Sequence, residues 1–101
     1  MLFRSELHNF IWQLSGILEE NDLIASCSSG GSFNAVMQVF RNKRNQIVLS
    51  SKGSASMGYG LAGAIGMSFA DPSKRTILVE GDGGFAQNMQ DLGTVMTNKL
   101  N

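Results

Sequence analysis

Cysteine is almost missing from this sequence, and charge is scarce. Cys27 stands alone among 101 residues, which excludes an internal disulfide and suits a reducing, cytoplasmic location. Only 16% of the residues are charged and the formal net charge is zero, against roughly 25% charged in an average domain. Without a basic excess, neither nucleic acid nor an anionic membrane surface is expected as a partner. No apolar run nears the ~20 residues of a membrane-spanning helix, and no succession of basic, apolar and small residues marks a signal peptide. Internal repeats and linkers are missing too. Twelve glycines and six methionines fill part of the place of charge, and a surface so poor in charge is expected to be covered by other domains or subunits. The length fits one small domain with a core of marginal size.

Periodicity organises what is there. Met1–Ser5 has no periodic partner and reads as a candidate junction scar. Ser5 can cap a helix running to about Glu20, with Leu7, Phe10, Ile11, Leu14, Ile17 and Leu18 on one face and His8 and Trp12 off it. Leu23, Ile24 and Ala25, with Cys27, predict a short strand. The polar loop Ser26–Ser32 opens a helix carrying Phe33, Val36, Met37 and Phe40. Arg41, Lys43 and Arg44 end that helix, where cations suit the dipole. A strand over Gln46–Leu49, a loop over Ser50–Ser56 and a helix from about Met57 to Asp71-Pro72 come next. Gly58, Gly60, Gly63 and Gly66 each weaken that helix by up to about 1 kcal/mol relative to Ala, so something must approach its backbone closely. A strand over Thr76–Val79 and a helix from Phe85, with Met89, Leu92 and Met96 on one side, complete the pattern.

Three strand-to-helix alternations with helical crossovers predict an α/β fold: three layers, αβα, around a parallel sheet. The loops at Ser28–Ser32, Gly53–Met57 and Gly81–Gly84 then emerge together at the carboxyl edge of the sheet, within reach of one ligand. The third loop carries the sharpest chemical signal. Thr76–Val79 runs directly into Gly81-Asp82-Gly83-Gly84, whose glycines are expected to adopt conformations closed to other residues and to turn amide N–H groups on an anion. Asp82 is the only carboxylate within that turn, and Mg²⁺ takes one or two such oxygens, completing its octahedron with phosphate oxygens and water. A competing pattern is Gly58-Tyr59-Gly60-Leu61-Ala62-Gly63, which satisfies the G-x-G-x-x-G of NAD(P)-binding Rossmann domains with Glu80 as the ribose-binding acid. Its glycines do not follow their strand directly, since Ser50–Met57 intervenes, and it leaves Gly81–Gly84 without a role.

Taken together, Ser56-Met57-Gly58-Tyr59-Gly60-Leu61-Ala62-Gly63-Ala64-Ile65-Gly66 and Gly81-Asp82-Gly83-Gly84-Phe85, continuing through Gln90-Asp91-Leu92, resemble the diphosphate-binding domain of thiamine diphosphate-dependent enzymes of the acetolactate synthase group. The resemblance covers roughly residue 22 to the end. It implies thiamine diphosphate and Mg²⁺ as cofactors, with Asp82 ligating the metal and Gly81, Gly83 and Gly84 around the diphosphate. Met57 would wedge between the cofactor's two rings, with its N–H and the Ala55 carbonyl reading the pyrimidine edge, and Ser32 would lie near the diphosphate. The implied activity is decarboxylation of a 2-oxo acid such as pyruvate, with transfer or release of the resulting carbanion, in a homodimer or homotetramer. Two departures stand out: Ala62 where the group usually has proline, and Ser28 near the place of an Asp. The group's second metal-binding Asn and its catalytic glutamate lie outside these residues, so the chain is expected to be an incomplete, catalytically inactive part of a longer one. A diverged, non-catalytic cofactor-binding module is the remaining alternative.

Overall fold

The structure, a computed structural model, describes residues 6–101; the Ser5 cap and the junction reading of Met1–Ser5 lie outside the described residues. Along the chain come α1 (Glu6–Ile17), β1 (Leu23–Ser26), α2 (Gly30–Val39), β2 (Ile47–Leu49), α3 (Tyr59–Ala70), β3 (Thr76–Val79), α4 (Asp82–Asn88), a 3-10 turn (Met89–Asp91) and α5 (Leu92–Thr97). The strands form a parallel sheet in the order β2-β1-β3, in which Ile24 stands opposite both Val48 and Ile77. The central strand is buried along its whole length, which is why it reads as a continuous apolar run and not as an alternation.

Successive side chains on the outer strands divide between two helical layers. Val48 and Val79 join the core that Ile11, Ala35 and Val36 build beneath α1 and α2. Leu49 and Leu78 point the other way, against Gly63 and Gly60 of α3. This is the expected three-layer α/β arrangement. At the outer edge of β3 the Thr76 N–H donates to the Asn101 carbonyl at 2.9 Å, and no strand pairs with that edge among the described residues.

The buried face of α1 differs from the expected one. Leu7, Phe10 and Ile17 are exposed, Ile17 to 78%, whereas Ile11, Ser15 and Leu18 are buried, and His8 and Trp12 are half-buried. The rotation follows from the segment after α2. Arg41 lies 3.9 Å over the Trp12 ring and donates to the Trp12 carbonyl and to the Ser15 hydroxyl. Lys43 donates to the carbonyls of Gly16 and Leu18, and Gln46 to that of Glu19. The cations expected to complement the dipole of α2 therefore satisfy the orphan carbonyls at the end of α1. Two glycines make room for the chain's crossings here: a Cβ on Gly16 would lie 2.6 Å from Arg41 Nη2, and one on Gly31 would touch Leu7.

At the amino edge of the sheet, buried Asp22 accepts two hydrogen bonds from Arg75, at 3.0 and 2.6 Å, and one from the Glu19 amide at 2.8 Å. Burial pushes the Asp22 carboxyl up, but the Arg75 fork and the Glu19 amide outweigh it and hold the group below its ordinary range. One side chain thereby pins the end of α1 to the starts of β1 and β3. The final helix is also divided: Asn88 leaves helical geometry at φ −133 and ψ 17, separating α4 from the 3-10 turn and α5.

Candidate functional site

The carboxyl edge of the sheet opens on a pocket of about 410 Å³ lined by residues of all three strand-to-helix loops together with Leu7 of α1. Ser32, Met57, Gly81, Asp82, Gly83 and Gly84 all line it; Ala55 does not. The loops are tied to one another. Ser28 Oγ accepts the Ser51 N–H at 2.7 Å, joining the first loop to the second, and Asn88 Nδ2 donates to the Gly58 carbonyl at 2.8 Å, joining the second to the third.

Two helices begin at this pocket. α2 starts after Ser29 and α4 after Gly81, and neither start carries a side-chain cap. Their first amides are therefore unsatisfied by capping side chains, and each helix dipole adds partial positive charge at the same place. Asp82, exposed in the first turn of α4, supplies a carboxylate beside those donors. Amide donors with an adjacent open carboxylate suit a phosphate group carried with a divalent cation.

Gly83 and Gly84 of the third loop act through space and not through unusual torsion, while a Cβ on Gly81 would meet nothing within 4 Å. Among the described residues only Gly30 and Gly58 are glycines with positive φ, which corrects the expectation for Gly81, Gly83 and Gly84. A Cβ on Gly83 would lie 3.0 Å from Met57 Cε, and one on Gly84 would lie 2.6 Å from Glu80 Oε1. The Gly81 N–H donates to Glu80 Oε1 at 2.9 Å, so that amide is already engaged. The helix expected from Phe85 begins three residues earlier, which places Asp82 on helix and not in a free turn.

The sequence offers Glu80 only as a ribose-binding acid. Its carboxylate instead fills the slot between Gly60, where a Cβ would overlap Oε2, and Gly84; Oε2 is buried with no hydrogen-bond partner. Gly63 meets Tyr59 and Leu49. These glycines therefore serve helix-sheet and helix-carboxylate packing, and the carboxylate of Glu80, a residue of the pocket lining, is taken up between Gly60, Gly84 and the Gly81 N–H, which removes the support for the dinucleotide pattern. Gly66 meets nothing within 4 Å, so close approach does not account for it. Cys27, also in the lining, is buried; burial and then the negative charge of Glu80 push its thiol up, which disfavours the nucleophilic thiolate. Ala55 takes the left-handed region at φ 51, a local strain in the loop that leads to Met57.

Sequence reasoning missed Leu7, which covers the pocket from α1, and Asn88.

A three-layer α/β domain whose strand-to-helix loops and helix N-termini converge on one pocket is of the cofactor-binding class. Residues 29–101 match the family described as thiamine pyrophosphate enzyme, C-terminal TPP binding domain, and the chain belongs to that family. It is 50% identical over 52 residues to the acetolactate synthase large subunit of Porphyra purpurea, covering 52% of this chain and 9% of that protein. It is 39% identical over 80 residues to the putative thiamine pyrophosphate-containing protein YdaP of Bacillus subtilis (strain 168), covering 79% of this chain and 14% of that protein. To the chloroplastic acetolactate synthase of Arabidopsis thaliana it is 35% identical over 83 residues, covering 82% and 12% respectively. The chain thus spans about a tenth of the length of these relatives. The cofactor of the family is thiamine diphosphate, used with Mg²⁺. No helix among the described residues is long and apolar enough to cross a membrane.

Proposed function

We propose that these residues form part of the thiamine diphosphate- and Mg²⁺-binding domain of an enzyme that decarboxylates a 2-oxo acid such as pyruvate and transfers or releases the product carbanion, in the manner of an acetolactate synthase. The observation that carries the reading is the meeting of Asp82, the uncapped starts of α2 and α4, and Met57 in one pocket. Asp82 would ligate Mg²⁺. The amides of Gly83 and Gly84, with Ser32 opposite, would hold the diphosphate, whose charge the two helix dipoles favour. Met57 is 59% exposed and its flexible thioether fits an irregular ring surface; Ala55 and the Met57 N–H would address the pyrimidine edge. Thiamine diphosphate supplies a carbon nucleophile and an electron sink for 2-oxo acids. The chain's own residues bind it, orient it and cover it, Leu7 closing one side.

The longer protein is proposed to be a cytoplasmic homodimer or homotetramer, for which the large apolar side chains left exposed on α1, α2 and α5 are the support. The test is to supply the full-length protein with thiamine diphosphate, Mg²⁺ and a panel of 2-oxo acids, and to follow CO₂ release and products. CO₂ with an acetolactate-type or aldehyde product is expected. Cofactor binding without CO₂ from any acid would leave a non-catalytic binding module.

A further inference from the structure

The short helix α4 touches the loop before α3 at both of its ends. At its first turn, Met57 Cε lies 3.0 Å from where a Cβ of Gly83 would be. At its last residue, Asn88 donates to the Gly58 carbonyl at 2.8 Å. Gly58 is in the left-handed region at φ 88, and a Cβ there would meet both Asn88 Nδ2 and Gln87 Cβ at 2.9 Å, so its backbone lies directly against α4. Asn88 has left helical geometry. The break in the helix and the reach of the amide to Gly58 are therefore one feature.

We propose that Asn88 is a positioning residue: by holding the Gly58 carbonyl it fixes the Met57-Gly58 dipeptide along α4, and so sets the position of Met57 relative to Asp82 and the Gly83 and Gly84 amides. The proposal rests on the thiamine diphosphate reading of the site. Asn88 does not line the pocket, so it acts through Met57 and not by touching the cofactor. Without its amide, the Met57 side chain keeps only its contact over Gly83, and its backbone N–H is free to drift. Because diphosphate and metal are held by other groups, affinity is retained while the geometry of the reacting rings is not.

The test uses the full-length protein with Asn88→Asp, which keeps the shape and removes the N–H donor, and Asn88→Ser, which withdraws the side chain. Three quantities are read: hydrogen exchange at Met57–Gly60 without cofactor, affinity for thiamine diphosphate with Mg²⁺, and the near-ultraviolet circular dichroism and kcat of the loaded protein. Expected for both variants are exchange accelerated about fivefold or more, as for loss of one hydrogen bond, affinity within ~3-fold of the parent, an altered dichroism band, and kcat lower by ~10-fold or more. Parent-like exchange and dichroism in both variants would overturn the proposal, and so would a loss of affinity equal to the loss of kcat. If the parent itself fails to bind thiamine diphosphate, the underlying reading falls and takes the proposal with it. A parent that binds normally beside unaltered variants removes the proposal alone.

Discussion

Two glycines of α3 should respond in opposite directions to the same substitution. Gly66 is exposed and a Cβ there meets nothing within 4 Å, so Gly66→Ala gains only the helix preference of alanine, about 0.5–1 kcal/mol. Gly60 is the second residue of α3, where that gain is smaller. Its Cβ would overlap Glu80 Oε2 and lie 3.0 Å from Glu80 Cδ and 3.3 Å from Leu78 Cδ1. Glu80 has little room to yield, because Oε1 accepts the Gly81 N–H at 2.9 Å and the same carboxylate abuts Gly84. Overpacking of this kind costs roughly 1–3 kcal/mol, so Gly60→Ala is expected to destabilise by about 1–2 kcal/mol and to differ from Gly66→Ala by about 1.5–3 kcal/mol. Denaturant midpoints measured at unchanged slope read both effects. Gly60→Ala combined with Glu80→Ala should lose less than the sum of the single changes, since the second makes space for the first. A Gly60→Ala protein stabilised as much as Gly66→Ala would refute the claim that Glu80 occupies that slot.

Three further outcomes are expected. Asp22→Asn loses charge-assisted bonds to Arg75, worth about 1.5–3 kcal/mol, and the lower end applies because the Arg75 side chain is 41% exposed. The folded Asp22 carboxyl lies below its ordinary 3.8, so its contribution is complete above that value and fades as pH falls through the folded one; acid unfolding of the Asp22→Asn protein should lack this component, and identical acid limbs would contradict it. Met57→Ala should lower the rate at saturation by ~10-fold or more while cofactor affinity changes ~3-fold or less; the reverse split would make Met57 an anchor. Ala55→Gly relieves the left-handed strain at φ 51 and should raise stability by about 0.5–1 kcal/mol, whereas a lower melting temperature would show that the strain is absent.

The sheet was legible in the sequence because its signal is local: Leu23–Ala25, Gln46–Leu49 and Thr76–Val79 are short apolar runs, each handed to a loop and then to a helix. The convergence of Ser32, Met57 and Asp82 on one pocket followed from parallel topology alone, whatever each residue is later shown to do. Other features are set by contacts between distant residues. The buried face of α1 includes Ser15 and Trp12 because Arg41 docks there from 26 and 29 residues away, and no helical period contains that information. Gly81, Gly83 and Gly84 read as sites of torsional freedom, whereas Gly83 and Gly84 instead accommodate Met57 and Glu80; Gly60, read as a place of close approach, does meet Glu80. Asn88 escaped notice because a polar residue within a helical pattern gives no sign that its amide serves a carbonyl thirty residues earlier.

Titration of full-length protein with thiamine diphosphate, with and without Mg²⁺, for parent and Asp82→Asn, tests the central claim most directly. Asp82 is an exposed carboxylate at the start of α4, beside the uncapped amides of the pocket, and the proposed site relies on its charge to hold the metal. Tight binding by the parent only when Mg²⁺ is present, and binding weakened by ~10-fold or more in Asp82→Asn, is the predicted result. Equal affinity in the two proteins, or binding indifferent to Mg²⁺, would contradict the assignment of this pocket to metal and diphosphate.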